Sequence, residues 1–178
     1  MEFLASKVLT DCRIACNELE KAETIENDSL IRLRWFTCLA LLRAVGHVID
    51  KVDKKNNLQY VNIFDEVFQK NKSDKIFKNF INKERNLILK EYQNTIIKVP
   101  SERLESNYLQ LNDEGDCLDV GDGNNLKISE DRLIKRYFKK GEGFEKYQLL
   151  HEIVSEGIKW WSEYIDQIIR KIKNKKFA

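Results

Sequence analysis

The chain has 178 residues, of which 34% are charged and 42% hydrophobic, and its formal net charge is only +2. That balance excludes a global field drawing it onto nucleic acid or an acidic membrane, so any basic surface must be local. Nine Phe and three Trp exclude disorder, and the length suits one domain with a substantial core and a small appendage.

Phe3 to Ala22 places Leu4, Val8, Cys12, Ala15, Cys16 and Leu19 at helical spacing, with polar residues around the rest of the wheel, which predicts an amphipathic helix. A polar link, Glu23–Asp28, follows, and Asn27, Asp28 or Ser29 can each cap the next helix. From Leu30 to Ile49 apolar residues, Leu33 among them, cover most of the circumference. This predicts a central helix over 29–53, enclosed by its neighbours on almost every side. Tyr60 to Lys70 reads as a short helix or an ordered crossing segment, and Ser73 to about Tyr92 as a longer helix with Ile76, Phe77, Phe80, Ile81, Leu87 and Ile88 facing inward. Glu84 shares that inward face, where a carboxylate is costly unless paired.

Between Asn94 and Asn125 the pattern changes to β-branched and turn-forming residues around Pro100, the only proline. We expect an inserted β-hairpin module over 94–128. Ser129 starts a short helix expected to run through Phe138 and to end at Gly141-Glu142-Gly143, and the last helix is expected from Phe144 to about Lys173. Gly46 and Gly157 each cost about 1 kcal/mol inside a helix, which predicts close helix–helix approach at a 46/157 contact. The fold class expected is mainly α: an antiparallel four-helix bundle with short extra helices and the hairpin insertion before the last long helix.

The four cysteines, Cys12, Cys16, Cys38 and Cys117, lack the spacing of a disulfide framework, and three lie in apolar helical stripes. That usage points to a reducing, cytoplasmic setting. No signal-peptide pattern is visible, and no apolar run approaches the roughly 20 residues of a membrane span.

Arg43, His47 and Asp50 fall on one face of the central helix at spacings of four and three. With Glu84 and Arg85 from the later helix they form the candidate catalytic set: histidine titrates near neutral pH, and arginine steadies phosphate or a developing oxyanion. The competing reading is a structural ion-pair network. Lys135-Arg136-Tyr137-Phe138-Lys139-Lys140 interleaves aromatic and basic residues, as single-stranded nucleic-acid sites do, and Arg170 to Lys176 adds a basic end. Packing and helix-dipole roles compete for both. The acidic run Asp113, Glu114, Asp116, Asp119 and Asp122 does not fit an EF-hand, and Cys12 and Cys16 lack further ligands for zinc. We expect no metal and no cofactor. His151 has no acid partner at catalytic spacing, and Trp160, which cannot face inward together with Trp161, is expected to mark an exposed contact surface.

The run Glu84-Arg85-Asn86-Leu87-Ile88-Leu89-Lys90 resembles the signature of HEPN-like helical domains, an arginine, often a polar residue after it, and a histidine after four to six more positions. Arg85 and Asn86 match its first part; Lys90 stands where the histidine would be. Arg43-x-x-x-His47 has the residue types with one intervening position too few. The resemblance covers about residues 1–93 and 144–173. It implies a bacterial or phage accessory protein that contacts RNA through Arg85, Asn86 and Lys90, or a partner protein, as a possible homodimer. Loss of the histidine implies no nuclease activity. The alternatives are a small ribonuclease or metal- or small-molecule-dependent enzyme built on Arg43, His47, Asp50 and Glu84, which requires a pocket beside His47, and a purely structural homodimer.

Overall fold

The computed structural model describes residues 3–91, 95–98, 138–146 and 148–177. In chain order these form α1 (Leu4–Ala22), α2 (Asp28–Val48), a π-helical turn (Ile49–Asp53), a 3-10 segment (Lys55–Tyr60), α3 (Val61–Asn71), a π-helical stretch (Ile76–Asn82), α4 (Lys83–Glu91), strands β1 (Ile96–Lys98) and β2 (Phe138–Lys140), and α5 (Leu150–Phe177). The protein is mainly helical, with a two-stranded antiparallel sheet. No helix among the described residues is long and apolar enough to cross a membrane. The expected hairpin, apart from 95–98, and the acidic run lie outside the described residues.

In α1, Ala5, Leu9, Cys12, Cys16, Leu19 and Ala22 make the buried stripe, the three-and-four spacing that one face of a helix requires. Its first turn has no cap from its own side chains. Instead the Asp53 carboxylate accepts from the amides of Leu4 at 2.9 Å and Ala5 at 3.0 Å, satisfying two of the donors that a helix start leaves open. Helix α2 is capped by Asn27, whose side chain accepts from the Leu30 amide at 2.9 Å. It buries Ile31, Trp35, Cys38, Leu39, Leu42 and Val45 against α1, α4 and α5. Enclosure is less complete than expected: Leu33 is 61% exposed, and with Ala40 and His47 it forms an open seam. Positions seven apart stay in line along a helix, so one gap between neighbours uncovers all three.

Helix α5 packs against α1, α2 and α3. It starts at Leu150 rather than at the expected Phe144, because Phe144 to Lys146 form a turn in which Glu145 takes a φ of 48°. The two helical glycines do not need one another. A Cβ at Gly46 would lie 2.8 Å from the Trp161 ring, and one at Gly157 would lie 3.1 Å from Leu42. Each glycine therefore receives a side chain of the opposite helix, one turn apart.

The sheet corrects the expected helix through Phe138. Ile96, Ile97 and Lys98 pair with Lys140, Lys139 and Phe138, and Phe138 and Lys140 are buried. A buried ion pair fixes the junction: Lys140 Nζ lies 2.7 Å from Glu84 Oε1, and the Thr95 hydroxyl donates to the same oxygen at 2.6 Å. Burial pushes the Lys140 ammonium below its usual range, against the opposing pull of Glu84. Beyond the strand, the Gly141 amide donates to Thr95 O at 2.7 Å. A Cβ at Gly141 would sit 2.5 Å from Ile97, so the crossing admits only glycine.

Candidate anion-binding groove

The expected polar line of α2 opens onto a groove of about 490 Å³. Arg43, Gly46 and His47 line it from α2, Ile49, Asp50 and Lys51 from the π-helical turn, Lys54 from the residue after it, and Phe64, Asp65 and Phe68 from α3. Phe77 and Asn82 come from the second π-helical stretch, and Trp161 and Tyr164 from α5. Two π-helical segments thus border one cavity. Such segments are rare and recur at functional sites because the extra residue re-aims the side chains of a turn.

The acids at the rim are already engaged. Asp50 lies 2.7 Å from Lys51 Nζ and Asp65 lies 2.5 Å from Lys54 Nζ. Hydrogen bonding to Lys51, with the charges of Lys54 and His47, holds the Asp50 carboxyl below its usual range. Burial, then the nearby Asp65 and Asp50, pushes the Tyr164 phenol upward, so it stays neutral.

Arg43 differs from these groups. It is half-buried, and its Nε has no hydrogen-bond partner. Burial, and after it the neighbouring Arg85, lowers its pKa. Arg85 is also half-buried, with an unpartnered Nε and, among the described residues, a single hydrogen bond, from Nη1 to Asn86 Oδ1 at 2.6 Å. Among the described residues no carboxylate pairs with either arginine. Two like charges brought together out of bulk water, without a counter-ion among the described residues, create a local demand for an anion.

The structure therefore divides the expected site. Arg43, His47 and Asp50 line the groove together, and Arg85 couples to Arg43. Glu84 does not join them: it is 1% exposed and committed to Lys140 and Thr95, so it is corrected from catalytic candidate to structural anchor. His47 is exposed and makes no hydrogen bond or ion pair among the described residues. The side chain of Lys90 lies outside the described residues. In the basic-aromatic run, Phe138 and Lys140 are buried, which removes them from any surface. Trp160 is no free contact surface: it stacks on Phe77 at 5.1 Å and donates to Asp74 at 2.8 Å.

His151 does have an acid partner, which single-chain spacing did not show. Glu23, fully buried at the end of α1, accepts from the His151 backbone amide at 2.9 Å and lies 2.7 Å from its Nδ1. Glu20 stands 3.8 Å from Nε2, and Cys16 Sγ lies 3.4 Å from both the His151 carbonyl and the Ser155 hydroxyl. Cys16, Glu20 and Glu23 recur at four and three residues on α1 and His151 and Ser155 at four on α5. That is the spacing of two facing seams, and it was the available signal. Among the described residues no cluster of His, Cys, Asp and Glu is arranged to hold a metal ion. Compared with protein-family models, curated proteins and solved structures, the chain matches none.

Proposed function

We propose that the protein is a HEPN-like helical bundle of antiparallel helices that binds RNA without cutting it, through the face where Arg43 and Arg85 meet. The observation that carries this reading is the pair of half-buried arginines with unpartnered Nε atoms and no carboxylate between them among the described residues. A phosphodiester supplies the missing charge in a geometry that suits the guanidinium fork. Two features support the non-cleaving reading: His47 has no hydrogen-bonded partner to orient it among the described residues, and Lys90 stands where the HEPN signature has its histidine.

Anisotropy of a labelled single-stranded RNA tests it. Arg43→Ala and Arg85→Ala should each weaken binding by about tenfold or more and flatten its salt dependence by about 0.7 in the log–log slope. Arg43→Ala should leave thermal stability unchanged or raised, since it removes a half-buried charge without a partner. Binding that ignores both substitutions sinks the proposal. RNA cleavage by the wild type that His47→Ala abolishes would make the protein an enzyme instead.

A further inference from the structure

We infer that the groove beside Arg43 is a site for a single nucleotide, with the phosphate on Arg43 and the base against Phe68. The inference rests on the reading of Arg43 given above and adds what lies around it. At about 490 Å³ the groove falls within the range of small-molecule sites, which combine apolar walls with a few placed polar groups. Among the described residues its charge is one-sided, because Asp50 and Asp65 are matched by Lys51 and Lys54, leaving Arg43 without a carboxylate partner there and reinforced by Arg85.

Aromatic residues share the lining with Arg43. Phe68 is 43% exposed and is the one exposed aromatic ring among the described residues. It makes an edge-on contact with Phe77, centroids 6.2 Å apart at 88°, and both rings line the groove. An exposed ring and an arginine lining one groove are the elements with which proteins stack a base while holding its phosphate. Asn82, also in the lining, carries both a donor and an acceptor for a base edge. An inorganic anion would leave the ring unused, and an apolar ligand would leave Arg43 without its counter-charge. The nucleotide unit is either a free mononucleotide or one residue of an RNA strand, and the two are separated by experiment.

The full chain is titrated with AMP, adenosine, inorganic phosphate and a labelled single-stranded RNA, following the tryptophan emission that Trp161 contributes from the groove and the anisotropy of the RNA. AMP should bind at least about tenfold more tightly than adenosine or phosphate. Phe68→Ala should weaken AMP and RNA alike by about tenfold, the order expected for one lost stack, with Phe68→Tyr restoring both; circular dichroism of each variant checks folding. If RNA binding depends on Arg43 and Arg85 but not on Phe68, and AMP does not bind, the nucleotide site is overturned and the RNA reading stands. If AMP binds through Arg43 and Phe68 while RNA does not bind, the site stands and the RNA reading falls. Phosphate binding as tightly as AMP removes the base from the inference and overturns it.

Discussion

Glu84 and Lys140 meet with 1% and 0% of their surfaces exposed, so neither charge has water to fall back on. Removing one member of such a pair strands the other and costs about 3–5 kcal/mol, whereas replacing both with apolar residues is often neutral. Lys140→Met should lower the unfolding free energy from urea titrations by that amount, and Glu84→Leu with Lys140→Met should recover most of it. The buried thiol of Cys12 makes a separate prediction. Burial pushes its pKa from 9.0 up to about 12, so the folded chain keeps a proton that the unfolded chain releases above pH 9. Its contribution is intact below pH 9 and is lost as pH rises toward 12. Between pH 8 and pH 10 the wild type should lose about 1 kcal/mol more stability in urea titrations than Cys12→Ala. The inward position of Glu84 was legible from Ile81 and Ile88 on the same face. Its partner was not, because Lys140 arrives by strand pairing across more than fifty residues, which no local pattern encodes.

At the scale of elements, the periodicity of α1, α3 and α5 was legible because each buries one stripe, whereas the near-complete enclosure expected of α2 gave way to the open seam of Leu33, Ala40 and His47. The start of α5 and the fate of Phe138 were not legible. A run of aromatic and basic residues is compatible with either period, and the pairing of Phe138 with Lys98 decided it. The glycines test the packing of α2 on α5. Alanine at Gly46 gains about 1 kcal/mol of helix propensity but meets Trp161 at 2.8 Å. That indole is 3% exposed and packed against Phe77, Trp160 and Tyr164, so it has little freedom to move. Gly46→Ala should destabilise by about 1–2 kcal/mol net of that gain. At Gly157 the contacts are 3.1–3.3 Å, to Leu42 and Phe80, and Gly157→Ala should stay within about 0.5 kcal/mol of the wild type because a shift of a few tenths of an ångström suffices. Calorimetric midpoints of the two variants check the contrast.

For the whole molecule, the polar line Arg43, His47 and Asp50 was legible, but the groove was not. Its aromatic wall is assembled from Phe68, Phe77 and Trp161, three segments that only tertiary packing brings together. Lys98 and Phe138 are a paired position of an antiparallel ladder, so the residues that flank 99–137 are held side by side. A two-residue turn can join such a pair. Replacing residues 99–137 with Asn-Gly should therefore leave the helical body folded, with its melting midpoint within a few degrees of the wild type and its circular dichroism unchanged per helical residue. Cooperative unfolding lost in that variant would show that the excised segment is part of the core.

The π-helical turn Ile49–Asp53 carries one residue more than an α-helical path would, which rotates the downstream backbone by about 100°. Asp53 ends that turn facing the amides of Leu4 and Ala5. The first turn of α1 is thus finished by a side chain that lies some fifty residues further along the chain. In the mature protein, hydrogen exchange at Leu4 and Ala5 should track the opening of residues 49–53 rather than the intrinsic strength of the segment to which those two amides belong.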